Sequence, residues 1–228
     1  AISAPLDLST RLVDLHTEDP KLNKIGNLKY RGGIELRSRN SHFGGLSGMS
    51  VTKDGTRLFI VTDKGRWVTL HSIYDRRGWL IGARNGQIGK LLLPNGVPIR
   101  DNGRGDGEAI ARYRGGLMVS YESDKRLFLY PSGENPLASR PREFSTPAAL
   151  RGAPSNGEIE TLTILKDGRI FTLTERYSHG ARTVIGWITQ NRAWHQLIYQ
   201  RSGEFVPTGA STLPNGDVLL LERRFNWV

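Results

Sequence analysis

The chain has 228 residues, and its 32 lysine and arginine residues outnumber the 22 aspartate and glutamate residues, which gives a net charge of +10. No apolar run approaches the roughly 18 residues of a membrane-spanning helix, which excludes an integral membrane protein of that kind. The absence of cysteine excludes disulfides, thiol nucleophiles and thiolate metal sites. The 27 glycines and 11 prolines indicate a chain with many turns.

The N-terminal region contains two predicted strands, at about residues 11–16 and 28–37, where apolar and polar residues alternate. The first residues, Ala1 to Pro5, lack the basic start and apolar core of a signal peptide. This start is compatible with the mature form of an exported protein whose leader was removed.

Four segments that follow repeat one pattern, at residues 45–64, 107–123, 157–176 and 207–223. Each begins with a short alternating strand and a glycine turn, and continues with a second apolar strand that ends on an acid. The Asp-Gly and Asn-Gly turns are typical of two-residue β-hairpins, because glycine accepts a positive φ. The closing acids recur at intervals of about 50 residues, which is the period of a β-propeller blade. They are Asp63, Glu122, Glu175 and Glu222.

Further strands are predicted between the hairpins, and they would form the outer strands of the blades. They cover residues 67–74, 79–88, 126–130, 183–189 and 194–199. No window of a dozen residues has a helical period without a glycine or proline inside it. The sequence therefore predicts an all-β fold: a single β-propeller domain over residues 1–228, with four-stranded antiparallel blades.

The number of blades has two interpretations, because no outer strands follow the fourth hairpin. The two N-terminal strands could pair with that hairpin and close a ring of four or five blades. Alternatively, the natural chain continues and forms five or six blades. A sequence that stops at residues 225–228, directly after a strand, favours the second interpretation and a C-terminally incomplete chain.

Two columns of aligned residues carry the candidate chemistry. One column starts each inner strand, and the other is the column of closing acids; an antiparallel hairpin brings both to the same end of a blade. The first column consists of Ser47, Glu108, Glu160 and Thr208. Carboxylates from several blades would then meet at one channel mouth and form a site for a hard cation such as Ca²⁺ or Mg²⁺. The predicted metal ligands are Asp63, Asp106, Glu108 and Glu122, and the predicted catalytic acids are Glu108, Glu160 and Glu175.

Basic residues follow the closing acids, and their role also has two interpretations. The planar guanidinium groups of Arg66, Arg176 and Arg223 suit a phosphate group, which makes them candidate substrate-binding residues. The other interpretation is a network of ion pairs that joins the blades and has no chemical function. The glycine-rich segment 101–108 is likewise either a cation-binding loop, through its acids, or a flexible access loop.

Two further features of the sequence give weak support to other functions, which are a serine esterase and a nucleic-acid-binding protein. Ser47 has glycine on one side at the spacing of a nucleophile elbow, but Met49 replaces the second glycine and a strand follows instead of a helix. The positive charge alone does not indicate a nucleic-acid partner, because no strand alternates basic and aromatic residues as a stacking platform would.

Four motifs together resemble those of a known family, from about residue 40 to the C-terminus. They are Phe43-Gly-Gly-Leu-Ser-Gly-Met49, Asp106-Gly-Glu-Ala-Ile-Ala111, Asn156-Gly-Glu-Ile-Glu160 and Leu173-Thr-Glu-Arg176. The chain resembles the phytase-like β-propellers described as having the esterase-like activity of phytase. That resemblance implies an exported bacterial hydrolase of phosphate or other esters. It also implies calcium, by likeness to propeller phytases, and places the family's acids at Asp63, Glu108, Glu122, Glu160 and Glu175.

The sequence thus leads to a primary hypothesis and an alternative. The primary hypothesis is a periplasmic or secreted hydrolase that acts on a small anionic ester at a metal-loaded propeller rim. The alternative is a non-catalytic propeller that binds a protein or an anionic ligand, because the fold by itself implies no chemistry.

Overall fold

The computed structural model describes residues 3–99, 105–122, 125–154 and 157–225. Three predictions fall partly outside these residues: the first half of the glycine-rich segment, with Asp101; the motif residue Asn156; and the chain end at 226–228. The described residues form strands, joined by loops and two short 3₁₀ helices at Pro136–Ala138 and Ala148–Gly152. In the described part, no helix is long and apolar enough to cross a membrane.

The strands follow one another in a regular order along the chain. They are β1 (Ser3–Pro5), β2 (Ser9–Val13), β3 (Lys24–Ile25), β4 (Leu28–Lys29), β5 (Gly33–Arg37), β6 (Leu46–Val51), β7 (Arg57–Thr62), β8 (Arg66–Tyr74), β9 (Leu80–Lys90), β10 (Gly107–Tyr113), β11 (Gly116–Tyr121), β12 (Arg126–Tyr130), β13 (Arg142–Phe144), β14 (Ile159–Ile164), β15 (Ile170–Thr174), β16 (Thr183–Gln190), β17 (Ala193–Gln200), β18 (Val206–Thr212) and β19 (Val218–Arg223).

Three antiparallel meanders form three blades: β6 to β9, β10 to β13 and β14 to β17. A fourth hairpin consists of β18 and β19, and β1 adds a fifth strand to the outer edge of the first blade. The inner strands β6, β10, β14 and β18 contact one another in that order. This arrangement confirms the predicted all-β propeller with four-stranded antiparallel blades.

The N-terminal strands pack beside the first blade. β2 pairs with β5, where Arg11 lies opposite Glu35, and both strands contact β9. Within the described residues, β18 pairs only with β19. The structure therefore gives β2 and β5 a different place from the ring-closing pairing that was one of the two interpretations.

Apolar side chains between neighbouring blades form the core. Trp67, Leu117 and Tyr130 belong to the cluster between the first and second blades, and Met118 and Trp187 belong to the cluster between the second and third. All five side chains are almost completely buried. This packing holds the inner strands side by side, and so fixes where their first residues lie.

Every inner strand has a register irregularity at its start, which is a β-bulge. The pairing skips between Leu46 and Gly48, between Gly107 and Ile110, between Ile159 and Thr161, and between Pro207 and Gly209. The first residue inside each bulge belongs to the first column of the sequence alignment. A bulge changes the direction of the side chain that it contains. The same irregularity thus positions Ser47, Glu108, Glu160 and Thr208 on successive blades.

Candidate functional site

The bulge residues of all four hairpins line one open cavity of about 730 Å³. Asp63, Asp106 and Arg223 line it as well. In the first three blades, the closing acids of the second column lie next to the bulge residues of the first column. The backbone N–H of each closing acid donates to the backbone carbonyl of the residue two positions before the bulge residue. This bond is 2.9 Å long from Asp63 to Gly45, 3.0 Å from Glu122 to Asp106, and 3.0 Å from Glu175 to Glu158. We call the resulting group of carboxylates and arginines the acidic mouth.

Three carboxylates of the second blade form the centre of the acidic mouth. One oxygen from each of Asp106, Glu108 and Glu122 lies within 4.8 Å of the others. Burial, a hydrogen bond with Asp106 and the negative charge of Glu160 raise the pKa of Glu108 to about 9. Oδ1 of Asp106 is buried and has no hydrogen-bond partner in the described part of the chain. A hard cation would bind this oxygen and take the place of the proton in the hydrogen bond between Glu108 and Asp106. The three carboxylates therefore fit Ca²⁺ as ligands.

Glu158 is a fourth carboxylate, which the sequence analysis missed. It is only 3% exposed, and its Oε2 accepts a hydrogen bond from the backbone N–H of Gly157 at 3.1 Å. Nζ of Lys125 lies 3.9 Å from its Oε1 and donates to the carbonyl of Ala153 at 2.6 Å. Burial, followed by the charge of Glu158 and a hydrogen bond with it, raises the pKa of Glu122 to about 8.

Glu158 could have been found from its position relative to the bulge. It lies two residues before the bulge residue Glu160, as Asp106 lies two residues before Glu108. The column two residues before the bulge therefore supplies an acid in both blades that carry a bulge glutamate.

Glu160 links the three carboxylates of the second blade to a basic group. Burial and the charge of Glu175 raise the pKa of Glu160 to about 7, while the positive charges of Arg223 and Arg176 oppose the shift. Glu175 is buried, and its two oxygens lie 3.2 Å from Nε of Arg176 and 3.5 Å from Nη2 of Arg223. Both guanidinium groups are largely exposed to solvent, so they remain accessible to an anion.

The register of the fourth hairpin differs from the sequence alignment by one residue. Glu222 pairs with Pro207, as Thr62 pairs with Leu46 in the first blade. Arg223, and not Glu222, therefore occupies the position that Asp63 has in the first blade. A shift of one residue moves a side chain to the other face of a strand. This is why Arg223 reaches Glu175, while Glu222 accepts a hydrogen bond from the N–H of Ser202 at 3.2 Å.

Two predicted site residues lie apart from the three carboxylates. Asp63 lines the cavity, but its carboxylate packs against Gly45, where a Cβ atom would lie only 1.7 Å from Oδ1. Asp63 is not part of the group of close carboxylate oxygens found among the described residues. Arg66 is buried, and its backbone N–H donates to Oγ1 of Thr62 at 3.1 Å. It is not among the described residues that line the cavity.

The blades, the repeated bulges and the acidic mouth define a β-propeller whose candidate site lies at one end of its inner strands. A family model agrees with that class. The model of the phytase-like family, described as "Esterase-like activity of phytase", matches residues 41–228. The chain belongs to this family, which confirms the resemblance stated from its motifs.

Solved structures with a similar fold have very different sequences. One is a provisionally assigned 6-phosphogluconolactonase from Bacteroides fragilis NCTC 9343, with 12% identity and a TM-score of 0.42, where the match covers 96% of this chain and 61% of that one. Another is the β-propeller domain of Cps50 (Swd1) from Myceliophteria thermophila, with 13% identity, a TM-score of 0.38, and coverage of 78% and 53%. The chain thus spans between half and two thirds of these structures. No curated protein matches it significantly.

Proposed function

We propose that the protein hydrolyses small anionic esters, phosphate esters above all, at the acidic mouth. The observation that carries this proposal is the position of Glu160. This carboxyl lies between the Asp106, Glu108 and Glu122 group and the arginines bound to Glu175, and its pKa is raised to about 7. A group that titrates near neutral pH is suited to proton transfer in catalysis. Membership of the phytase-like family supports the same reaction class.

The carboxyls of the mouth take different roles in this proposal because their proton affinities differ. Glu160 accepts a proton from the attacking water, because it is partly ionised at neutral pH. Glu108 has a pKa of about 9 in the cation-free mouth and would give up its proton on holding Ca²⁺, so Glu160 itself passes the proton taken from water to the leaving oxygen. Glu175 is a positioning residue, because it holds Arg176 and Arg223 beside Glu160.

Arg176 and Arg223 bind the substrate's anionic group. Their guanidinium groups are exposed and present several N–H donors, and phosphate oxygens accept such charge-assisted bonds well. The same contacts would stabilise negative charge that develops on the phosphoryl oxygens during the reaction. The site therefore binds an anion next to the group that activates water.

Asp106, Glu108 and Glu122 are the residues that would hold a calcium ion. A bound Ca²⁺ would polarise the ester oxygen and offset the charge of the surrounding carboxylates. The unpartnered Oδ1 of Asp106 supports this assignment.

We also propose that the protein is exported to the periplasm or the medium, which suits a cysteine-free chain. Fractionation of the native host would test this location.

Hydrolysis of a small substrate panel tests the proposal. An aryl phosphate, phytate and an aryl acetate are offered to the protein with Ca²⁺, and then with a chelator. We expect phosphate release that the chelator abolishes, and that falls at least about a hundredfold in the Glu108→Gln, Glu160→Gln double variant. Glu204→Gln, which changes an exposed acid in an ion pair with Arg182, is the matched control.

Two results would contradict the proposal. One is wild-type activity in the Glu108→Gln, Glu160→Gln double variant. The other is no hydrolysis of any substrate by the folded, Ca²⁺-loaded protein. The second result would favour the alternative of a non-catalytic propeller that binds an anionic ligand or a protein.

A further inference from the structure

A second cavity, of about 620 Å³, lies at the opposite end of the blades. Three hairpin turns border it: the turn at Arg114 between β10 and β11, the turn at residues 167–169 between β14 and β15, and the turn at residues 191–192 between β16 and β17. The acidic mouth lies where the inner strands begin, whereas two of these turns lie where the inner strands β10 and β14 end, and the third lies where β16 ends, at the same end of its blade. The two sites are therefore separated by roughly 20 Å, the length of a six-residue strand. We call this second cavity the basic cleft.

Three arginines give the basic cleft its charge. Arg114, Arg169 and Arg192 line it, and Asp167 is the one acid among its described lining residues. Asp167 forms an ion pair with Arg169, with Oδ2 2.7 Å from Nε. The charge of Asp167 is therefore balanced within the cleft, and the net charge of the lining remains positive. Such a lining attracts an anion.

Aromatic rings form another part of the lining. Tyr113, Phe144 and Trp194 belong to it, and the guanidinium group of Arg114 lies over the Tyr113 ring, 5.2 Å from its centroid. Nε1 of Trp194 donates to the carbonyl of Ser145 at 2.9 Å, which fixes the orientation of the indole. The cleft thus offers a fixed flat ring next to guanidinium groups, and both can contact a planar ligand that carries a negative charge.

Two of these arginines have an unfavourable backbone conformation. The φ angles of Arg114 and Arg192 are +48° and +64°, and Asn191 beside it has +51°. Asparagine and glycine fit such two-residue turns with much less strain than arginine. Strained residues are concentrated at functional sites. Two arginines with the same strain border one cavity, which is an independent indication that their charge has a use there.

We propose that the basic cleft binds a planar aromatic phosphate of about the size of a nucleoside monophosphate. Arg114 and Arg192 contact the phosphate, and Trp194 supplies the surface on which the ring stacks. The volume of the cleft lies within the usual range for a small-ligand site, about 300 to 1,000 Å³. This site is separate from the proposed hydrolytic centre, and its function does not depend on the acidic mouth.

The test is calorimetric titration of the full chain with AMP in the presence of a chelator, alongside adenosine and inorganic phosphate. We expect AMP to bind more tightly than either fragment and to change tryptophan fluorescence. The Arg114→Asn, Arg192→Gly double variant should bind AMP about tenfold or more weakly, because it lacks two charge-assisted contacts. It gives both turns an Asn-Gly sequence, so the fold should keep its thermal stability.

The matched control is Arg182→Gly, which removes another arginine with a positive φ, +57°, from a turn outside the cleft. It should leave AMP binding unchanged. The proposal is overturned if AMP does not bind at millimolar concentration, if it binds no better than inorganic phosphate, or if the double variant binds it normally. Loss of binding in Arg223→Ala with full binding in the double variant would also overturn it, because the ligand would then occupy the acidic mouth.

Discussion

Glu160 experiences opposite electrostatic influences from its two sides. Glu175 and Asp106 raise its pKa, and Arg223 and Arg176 lower it. Burial contributes most to the shift, because it disfavours the ionised form whatever the neighbours are. A change at one neighbour therefore moves the pKa of Glu160 in a direction that can be stated before the experiment.

Substitution of Arg223 by glutamine tests that dependence. Loss of the positive charge should raise the pKa of Glu160 above its value of about 7. If Glu160 is the catalytic base, the acidic limb of the pH profile of kcat/KM then moves to higher pH, and KM for an anionic substrate rises. Arg182→Gln is the control, because it removes an exposed guanidinium group that pairs with Glu204 and is not among the described residues that line the acidic mouth. An acidic limb that stays in place in Arg223→Gln would contradict this role of Glu160.

Sequence analysis predicted residues of the acidic mouth to the extent that the repeats align without a shift. Glu108, Glu122, Glu160 and Glu175 stand at equivalent places, and their hairpins have matching pairing near the bulge. Arg223 occupies the position that was expected for Glu222. The turn and the bulge together determine the register of the hairpin, and an alignment based only on acidic residues takes account of neither. Glu158 was missed because its side chain is brought into the site by the chain just before the bulge.

At the scale of elements, the hairpin turns were much easier to predict than the bulges. Asp-Gly and Asn-Gly sequences indicate a turn by themselves, because the positive φ that they require is rare for other residues. A bulge changes one step of the alternating pattern, and no residue type is common to all four bulge positions, Ser47, Glu108, Glu160 and Thr208. What they share is a position in the blade, next to the inner strand of a neighbour.

Gly48 illustrates how closely the inner strands approach each other at the bulge. A Cβ atom at this position would lie 2.6 Å from the backbone oxygen of Glu108 and 3.1 Å from Cα of Ala109. We therefore expect Gly48→Ala to lower the free energy of unfolding by about 1 to 3 kcal/mol, the usual effect of overpacking. It should also displace Glu108 and reduce any activity at the acidic mouth.

Gly209 provides the matched control for that substitution. It follows the bulge residue of β18 as Gly48 follows that of β6, but a Cβ atom there meets no atom of the described residues within 4 Å. Gly209→Ala should change the free energy of unfolding by less than about 0.5 kcal/mol. Urea unfolding of both variants decides the matter, and equal effects would show that close packing between blades is not the cause.

At the scale of the whole molecule, the distribution of charge matters more than its sum. The net charge is +10, yet carboxylates of successive blades converge at one end of the inner strands, while arginines surround a cleft at the other end. The repeat period predicted the propeller, since each blade is a local unit that needs no knowledge of distant pairing. The place of the N-terminal strands depended on packing against β9, which no local pattern encodes.

The convergence of carboxyls makes the stability of the whole fold dependent on pH. The pKa values of Glu108, Glu122 and Glu160 are raised to about 9, about 8 and about 7, from an ordinary value near 4.5. Between pH 4.5 and these raised values, the folded state binds more protons than the unfolded state. The contribution of these groups is therefore complete below pH 4.5 and is lost as the pH rises through their folded-state values. By contrast, the lowered pKa of exposed Asp54, about 2, affects stability only in more acidic solution.

We therefore expect the free energy of unfolding, measured with urea and no divalent cation, to fall between about pH 5 and about pH 9. Millimolar Ca²⁺ should counteract the fall, and stabilise the fold more at high pH than at low pH, because carboxyls must lose their protons to bind it. The Glu108→Gln, Glu122→Gln double variant should flatten the dependence and lose the response to Ca²⁺. Stability that rises over this pH range would contradict the raised pKa values of these carboxyls. Equal stabilisation by Ca²⁺ at both ends of the range would contradict a cation site at them.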